Sequence, residues 1–228
     1  MIAELIRAEQ MRLSHWAGGS TLQLAISPAD ASVAAQDFQW RFSSATVLQD
    51  GQFSLFPAHQ RLLALRQGAG MALHIDAQNT VLAGPYHTLR FAGAAQTSAR
   101  LLAGPVTDIN LMLAAGWQGQ LWSVPLSSEW QALQFAAPAS CTLLCYADQT
   151  AIVLELHDSR DGAIHHWQLA VGDVLHISQF ACHHQLKLRL VATAQAAATH
   201  HVDCHTMLRP SVALAWLSQE GRVGTAAR

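Results

Sequence analysis

Leu22, Leu24 and Ile26, and then Phe38, Trp40 and Phe42, place an apolar side chain at every second position with mostly polar residues between them. A period of two turns one side of an extended chain toward a core and the other outward, which is the signature of a strand rather than a helix. Short apolar runs recur at 62–65, 71–75, 81–82, 121–124, 141–146, 152–157, 164–169, 174–177 and 186–191. Their close spacing, with turn residues between, predicts an all-β fold of the sandwich or barrel type. Asp50-Gly51 lies between two apolar stretches, and because that dipeptide accepts positive φ angles it predicts a hairpin over 45–56. Helical signals are confined to 98–104, 110–115 and the Ala-rich stretch 192–199, which lacks an apolar stripe.

The strand pattern restarts after Gly116 to Gly119, so the chain divides into two packed β units of similar size, residues 1–115 and 116–228, with a frayed tail after about residue 220. With 51% hydrophobic and 12% charged residues, the chain carries enough apolar material for a large core, and disorder is excluded. One Lys, at position 187, and a net charge of -2 leave no basic stripe for phosphate, so no nucleic-acid partner is expected. Glu4, Arg7 and Glu9 interrupt the one stretch that could serve as a signal core, and no run has the length of a membrane span. The expectation is a cytoplasmic protein without a membrane partner, whose four cysteines are thiols. Cys141 and Cys145, four apart on a strand, would be separated by about 13 Å, beyond disulfide reach.

Strand arithmetic also sorts the polar residues. If 37–43 is extended, Asp37, Gln39, Arg41 and Ser43 share one face, opposite Phe38, Trp40 and Phe42. That polar face either meets water or lines the mouth of a barrel. In the second case the planar Arg41 fork suits a carboxylate, with the Ser43 hydroxyl beside it. An extended 108–112 would align Asp108, Asn110 and Met112, where Asn110 has both donor and acceptor atoms for an amide or formyl group. Asp108 is otherwise a turn or cap carboxylate following Gly104-Pro105. Arg61 is either a second carboxylate partner or a buried bridge to Asp50 or Asp108. Trp16 and Trp40 are large enough to anchor a core whatever the function, and Gly18-Gly19 allows a bend or a close backbone approach.

The series Trp16-Ala-Gly18-Gly19-Ser-Thr21-Leu-Gln23, Asp37-Phe38-Gln-Trp40-Arg41-Phe-Ser43-Ser-Ala45 and Asp50-Gly51-Gln-Phe53-Ser54-Leu-Phe56-Pro57 resembles the HutD/Ves family in order and spacing. The match continues through Arg61-Leu62, Gly68, Gly70, Leu73, Phe91, Gly93 and Leu102-Ala-Gly104-Pro105-Val-Thr-Asp108-Ile-Asn110-Leu111-Met112, so it covers residues 16–112. In the second half, Leu169-Ala-Val-Gly172-Asp173-Val-Leu175 resembles the Gly-Asp turn of cupin barrels. The resemblance implies two cupin-like β-barrels packed together, a bicupin with few short helices. It also implies association with histidine utilisation, a small carboxylate ligand such as formylglutamate, and no established catalysis. Members related to Ves are linked instead to stress and cold response.

Joined to the side-chain chemistry, the resemblance points to a binding site drawn from Arg41, Ser43, Arg61, Asp108, Asn110, Trp40, Ser54 and Met112. The partner is a small organic acid, with a homodimer as a further expectation. No cofactor and no metal are expected, because the cupin His-x-His with a downstream Glu is missing from the first half. His15, His59, His74 and His87 are scattered, and the adjacent pairs His165-His166 and His183-His184 would point to opposite strand faces. His201 and His205, with Cys204 alongside, would share a face only on a helix. Two other classes stay open: a cupin enzyme, metal-dependent or using Asp108 or Asp37 as base, and a stress-related scaffold that recruits another protein through exposed edges or apolar patches.

Overall fold

The computed structural model describes residues 1–133, 138, 140–191 and 210–220. The Ala-rich stretch 192–199, the His201, Cys204 and His205 group and the tail beyond 220 lie outside the described residues. In chain order the strands of the first half are β1 (Ile2–Ile6), β2 (Arg12–Trp16), β3 (Gly19–Ser27), β4 (Trp40–Val47), β5 (Gly51–Gln52), β6 (His59–Gln67), β7 (Met71–Ile75), β8 (Gln78–Leu82), β9 (Thr88–Ala92), β10 (Thr97–Leu101) and β11 (Val106–Ala114). The second half holds β12 (Trp117–Pro125), β13 (Gln131–Leu133), β14 (Ser140–Tyr146), β15 (Ile152–Asp158), β16 (Ile164–Leu169), β17 (Val174–Ala181), β18 (His184–Leu190) and β19 (Ser211–Gln219). Among the described residues the one helical element is a 3-10 turn at Ala8–Gln10.

The strands build four sheets. A six-stranded sheet runs β2-β3-β4-β11-β6-β9 and a four-stranded sheet β5-β10-β7-β8. In the second half a five-stranded sheet runs β1-β17-β14-β19-β12 and a four-stranded sheet β13-β18-β15-β16. All pairs are antiparallel. The fold is therefore all-β, but each sheet has an open strand order with two edges, in place of the closed barrels implied by the resemblance. β1 crosses over: Ile2–Ile6 pairs along β17, so the start of the chain is hydrogen-bonded into the sheet otherwise formed by residues after 116.

Three apolar layers separate the four sheets. Trp40, Phe42, Leu62, Leu111 and Leu113 of the six-stranded sheet pack against Leu121, Leu144, Ala215 and Leu217 of the five-stranded sheet. The other face of the six-stranded sheet meets β7, β8 and β10 through Leu63, Leu65, Met71, Leu73 and Ala99. The third layer, with Leu143, Ile152, Leu154, Leu186 and Leu214, fills the second half. The six-stranded sheet is thus covered on both sides, and its strands carry near-continuous buried residues, as β6 and β11 do.

Two local expectations change. The segment 45–56 does not close a hairpin: β4 ends at Val47, and Gly51–Gln52 pairs with Ala99 and Ser98 of β10 in the facing sheet. Here the chain turns a corner from one sheet to the other, and the Asp50 carboxylate accepts the Leu101 N–H at 2.7 Å. The stretches 98–104 and 110–115 are not helical, because most of each belongs to β10 or β11. Ala99 and Leu101 of β10 enter the layer against the six-stranded sheet, Ile109, Leu111 and Leu113 of β11 enter the inter-half core, and that tertiary pairing outweighs the local helical preference of Ala, Leu and Met.

The halves are fastened by a residue to which the sequence reading gives no role. A register shift in the β11–β6 pairing leaves Arg66 without a direct partner and sends its side chain toward the second half. Its guanidinium donates to both Asp148 oxygens at 2.8 and 2.7 Å, to Ser123 Oγ at 2.6 Å and to the Ser211 carbonyl at 3.1 Å. Asp173 of the Gly172-Asp173 turn makes a second tie, accepting from Arg7 at 2.7 Å and from the Ala8 N–H at 3.1 Å.

Candidate functional site

The three central strands of the six-stranded sheet create the site by alternation. β4 gives Trp40 and Phe42 to the inter-half core and turns Arg41, Ser43, Ala45 and Val47 the other way. β11 gives Ile109, Leu111 and Leu113 to that core and turns Asp108, Asn110 and Met112 the other way. β6 adds Arg61. Register aligns these residues: Met112 faces Arg41 on one side and Arg61 on the other, so both arginines flank it in a single row across the sheet. Asn110 lies opposite Ser43 in the next row, and Asp108 opposite Ala45 in the row beyond.

These side chains line a cavity of about 240 Å3, closed on the opposite side by Gln52, Phe53, Ser54 and Phe56. Ser14, Trp16 and Thr21 form its rim. The volume lies below the roughly 300–1,000 Å3 of sites for drug-sized ligands, so it suits a small acid. Arg41, Ser43, Arg61, Asp108 and Asn110 are all buried, an unusual concentration of polar groups inside one cavity.

Their pairing is incomplete. Arg41 Nε reaches Gln23 Oε1 at 3.4 Å, and Arg61 Nη1 reaches the Ser54 carbonyl at 3.4 Å, both long bonds. The Arg61 guanidinium stacks over Phe53 and Phe91, at 4.9 and 5.3 Å from the ring centres, which fixes its direction without neutralising it. Among the described residues, Arg61 Nε, Asp108 Oδ1 and Asn110 Oδ1 are buried with no hydrogen-bond partner. Among the described residues no ion pair within 4 Å joins either arginine to Asp108.

Burial sets the protonation states. Asp108 is pushed up to about 7 by desolvation, against a smaller opposing pull from Arg61. Arg61 is lowered to about 10 by burial, opposed by Asp108, and Arg41 is lowered by the same cause. Both guanidinium groups therefore remain cationic at neutral pH, while Asp108, two rows away in the same cavity, is close to its midpoint.

Seven of the eight sequence candidates line this cavity: Arg41, Ser43, Ser54, Arg61, Asp108, Asn110 and Met112. Trp40 does not. It lies on the opposite face of β4 and meets the His176 ring edge-on at 5.6 Å in the inter-half core. Trp16, read as a core anchor, is instead 43% exposed at the rim. Asp37 precedes β4, so the shared face expected for 37–43 begins only at residue 40; its carboxylate accepts the Ser32 N–H at 2.7 Å, outside the cavity. Asp108 is a mid-strand residue rather than a turn cap. Gln23, Gln52 and Phe53 belong to the motif runs, yet only the fold reveals their contact with the arginines or the cavity.

Gly19 explains its place in the Gly18-Gly19 pair. A Cβ there would lie 1.9 Å from the Thr46 carbonyl oxygen, so the close approach of β3 to β4 beside the rim excludes any side chain.

A second polar cluster tests the metal reading. His183 occupies the turn between β17 and β18 rather than a strand, so the pair expected to diverge converges: Asp158, His183 and His184 present ligand atoms within 4.8 Å of one another. The chemistry does not suit an ion. His184 Nδ1 accepts the Ala181 N–H at 2.9 Å, which in the neutral ring places the proton on Nε2, the nitrogen facing Asp158. Both Asp158 oxygens already accept from Arg160. Among the described residues no helix is long and apolar enough to cross a membrane.

The comparisons with known proteins agree with this architecture. The HutD family model matches residues 8–199. The chain belongs to the HutD family. That family is associated with histidine utilisation, and HutD from Pseudomonas fluorescens SBW25, solved in a formate condition, superimposes with a TM-score of 0.67 at 25% identity, covering 96% of this chain and all of that one. An uncharacterised 21.2 kDa protein from the region 3' of hutC in Pseudomonas putida is 33% identical over 111 residues, 49% of this chain and 58% of its own length. Oxalate decarboxylase, at 6% identity and a TM-score of 0.59 over 94% of this chain and 76% of that one, shares the cupin-like fold alone.

Proposed function

We propose that this HutD-family chain is a small-molecule binding protein whose cavity takes a small organic carboxylate, formylglutamate being the leading candidate, and that binding serves the regulation of histidine utilisation. The observation that carries this reading is the row Arg41-Met112-Arg61: two buried guanidinium groups, neither in an ion pair among the described residues, face one cavity of about 240 Å3. Buried cations without counter-ions are costly, and a ligand carboxylate is the group that would satisfy them with charge-assisted hydrogen bonds. Ser43 and the unpartnered Asn110 Oδ1 add polar positions that an amide or formyl group would use. The two halves, 1–115 and 116–228, are read as paired cupin-like units, with the ligand in the first.

Calorimetric titration of the purified protein with N-formylglutamate, urocanate and glutamate tests the reading. Heat and thermal stabilisation from at least one acid, weakened in Arg41→Ala and in Arg61→Ala, would support it. No response to any of the three would remove it.

A further inference from the structure

Asp108 is the group in the cavity that anion binding through the two arginines leaves unexplained. It sits mid-strand on β11, 2% exposed, with Oδ1 lacking any hydrogen-bond partner. Around it, β4 contributes Arg41 and β6 contributes Arg61, and the cavity residues from 14–21 and 52–56 bring no titratable group. Among the described residues the local charge set is therefore two cations and one acid. An incoming carboxylate attracted to the arginines enters the same low-dielectric space as the Asp108 carboxylate, and two anions held together there repel strongly.

Resting on the anion-binding reading above, we propose that Asp108 makes binding proton-coupled: an organic anion enters together with one proton, which Asp108 takes up, so that its carboxyl faces the ligand as a hydrogen-bond donor. The unpartnered Oδ1 is the oxygen placed to carry that hydrogen. No bond is made or broken other than the O–H of Asp108, and the proton comes from solvent. The elevated midpoint of the free acid, about 7, means the step requires little extra free energy near neutral pH. Affinity should be nearly constant in mild acid and should fall as pH rises past that midpoint, approaching tenfold for each pH unit, because each binding event must then capture a proton.

The experiment is calorimetry of the full chain with N-formylglutamate, which has no group titrating between pH 6.5 and 8.5, in HEPES and in Tris. These buffers differ in heat of ionisation, so the difference in binding heat counts protons directly. The expected result is uptake of nearly one proton at pH 8.5 and an affinity about twenty-fold weaker there than at pH 6.5. In Asp108→Asn, both the uptake and the pH dependence should vanish. Binding by the wild type with equal heat in both buffers would overturn the proposal while leaving the anion reading in place. Uptake that persists in Asp108→Asn would assign the proton to another group and also overturn it. Absence of binding by all three acids would overturn the anion reading and the proposal together.

Discussion

Replacing Asp108 by Asn should change the pH dependence of stability in a way that depends on no ligand. In the folded chain the carboxyl titrates at about 7, against an ordinary value of 3.8, so the native state holds its proton about three pH units longer than the unfolded chain does. At about 1.4 kcal/mol per unit, the full difference is about 4 kcal/mol. Below the ordinary value both states are protonated and the group costs nothing. As pH rises the unfolded chain ionises first, stability falls through the interval, and the loss levels off above about 7. Between pH 5 and pH 9 the wild type should lose about 3 kcal/mol from this one residue, and the Asn variant none of it. The attraction of Arg61 is already contained in the value of about 7, so it needs no separate correction. Urea unfolding of both proteins at intervals from pH 5 to 9 gives the difference curve, in which all other titrating groups cancel. A flat difference curve, or one in which the Asn variant loses ground as pH rises, would refute the claim that Asp108 is buried without an ion-pair partner.

Arg66→Met should destabilise the fold by about 3–5 kcal/mol, because it leaves Asp148 buried opposite a missing charge; denaturant unfolding reads this directly. Gly19→Ala should cost about 2 kcal/mol or more through contact with the Thr46 carbonyl, whereas Gly51→Ala, which meets nothing within 4 Å, should stay within about 0.5 kcal/mol, and paired thermal melts compare them. Arg41→Ala should weaken carboxylate binding roughly 10- to 100-fold in titration calorimetry, the loss of one charge-assisted contact, with little change in melting temperature since among the described residues Arg41 makes no ion pair.

Period-two patterning made the all-β class legible through Leu22, Leu24 and Ile26 on β3 and through Trp40 and Phe42 on β4, whereas β6 and β11, buried on both faces, carry near-continuous apolar runs and β11 reads partly as helix. Strand alternation alone aligns Arg41 with Ser43, and Asp108 with Asn110 and Met112. What patterning does not encode is which strand lies beside which. Arg41 and Arg61 share a row only because β11 runs between β4 and β6, a long-range pairing with no local signal. The Asp50-Gly51 corner reads as a hairpin for the same reason: the dipeptide marks a turn, and the partner strand, β10, is about fifty residues away in the chain. Trp40 belongs to the core, as its alternation with Arg41 implies: a strand neighbour of Arg41 faces the opposite layer, so its place among the lining residues does not hold. His183 and His184 diverge only if both are in a strand, and the turn that starts β18 brings them together instead.

The most direct test of the central claim is a crystal structure of the protein soaked with N-formylglutamate. The account predicts ligand density inside the first-half cavity, with a carboxylate within about 3 Å of the guanidinium groups of Arg41 and Arg61. Density confined to the surface or to the second half, with the two arginines unchanged around a cavity that excludes the ligand, would contradict it.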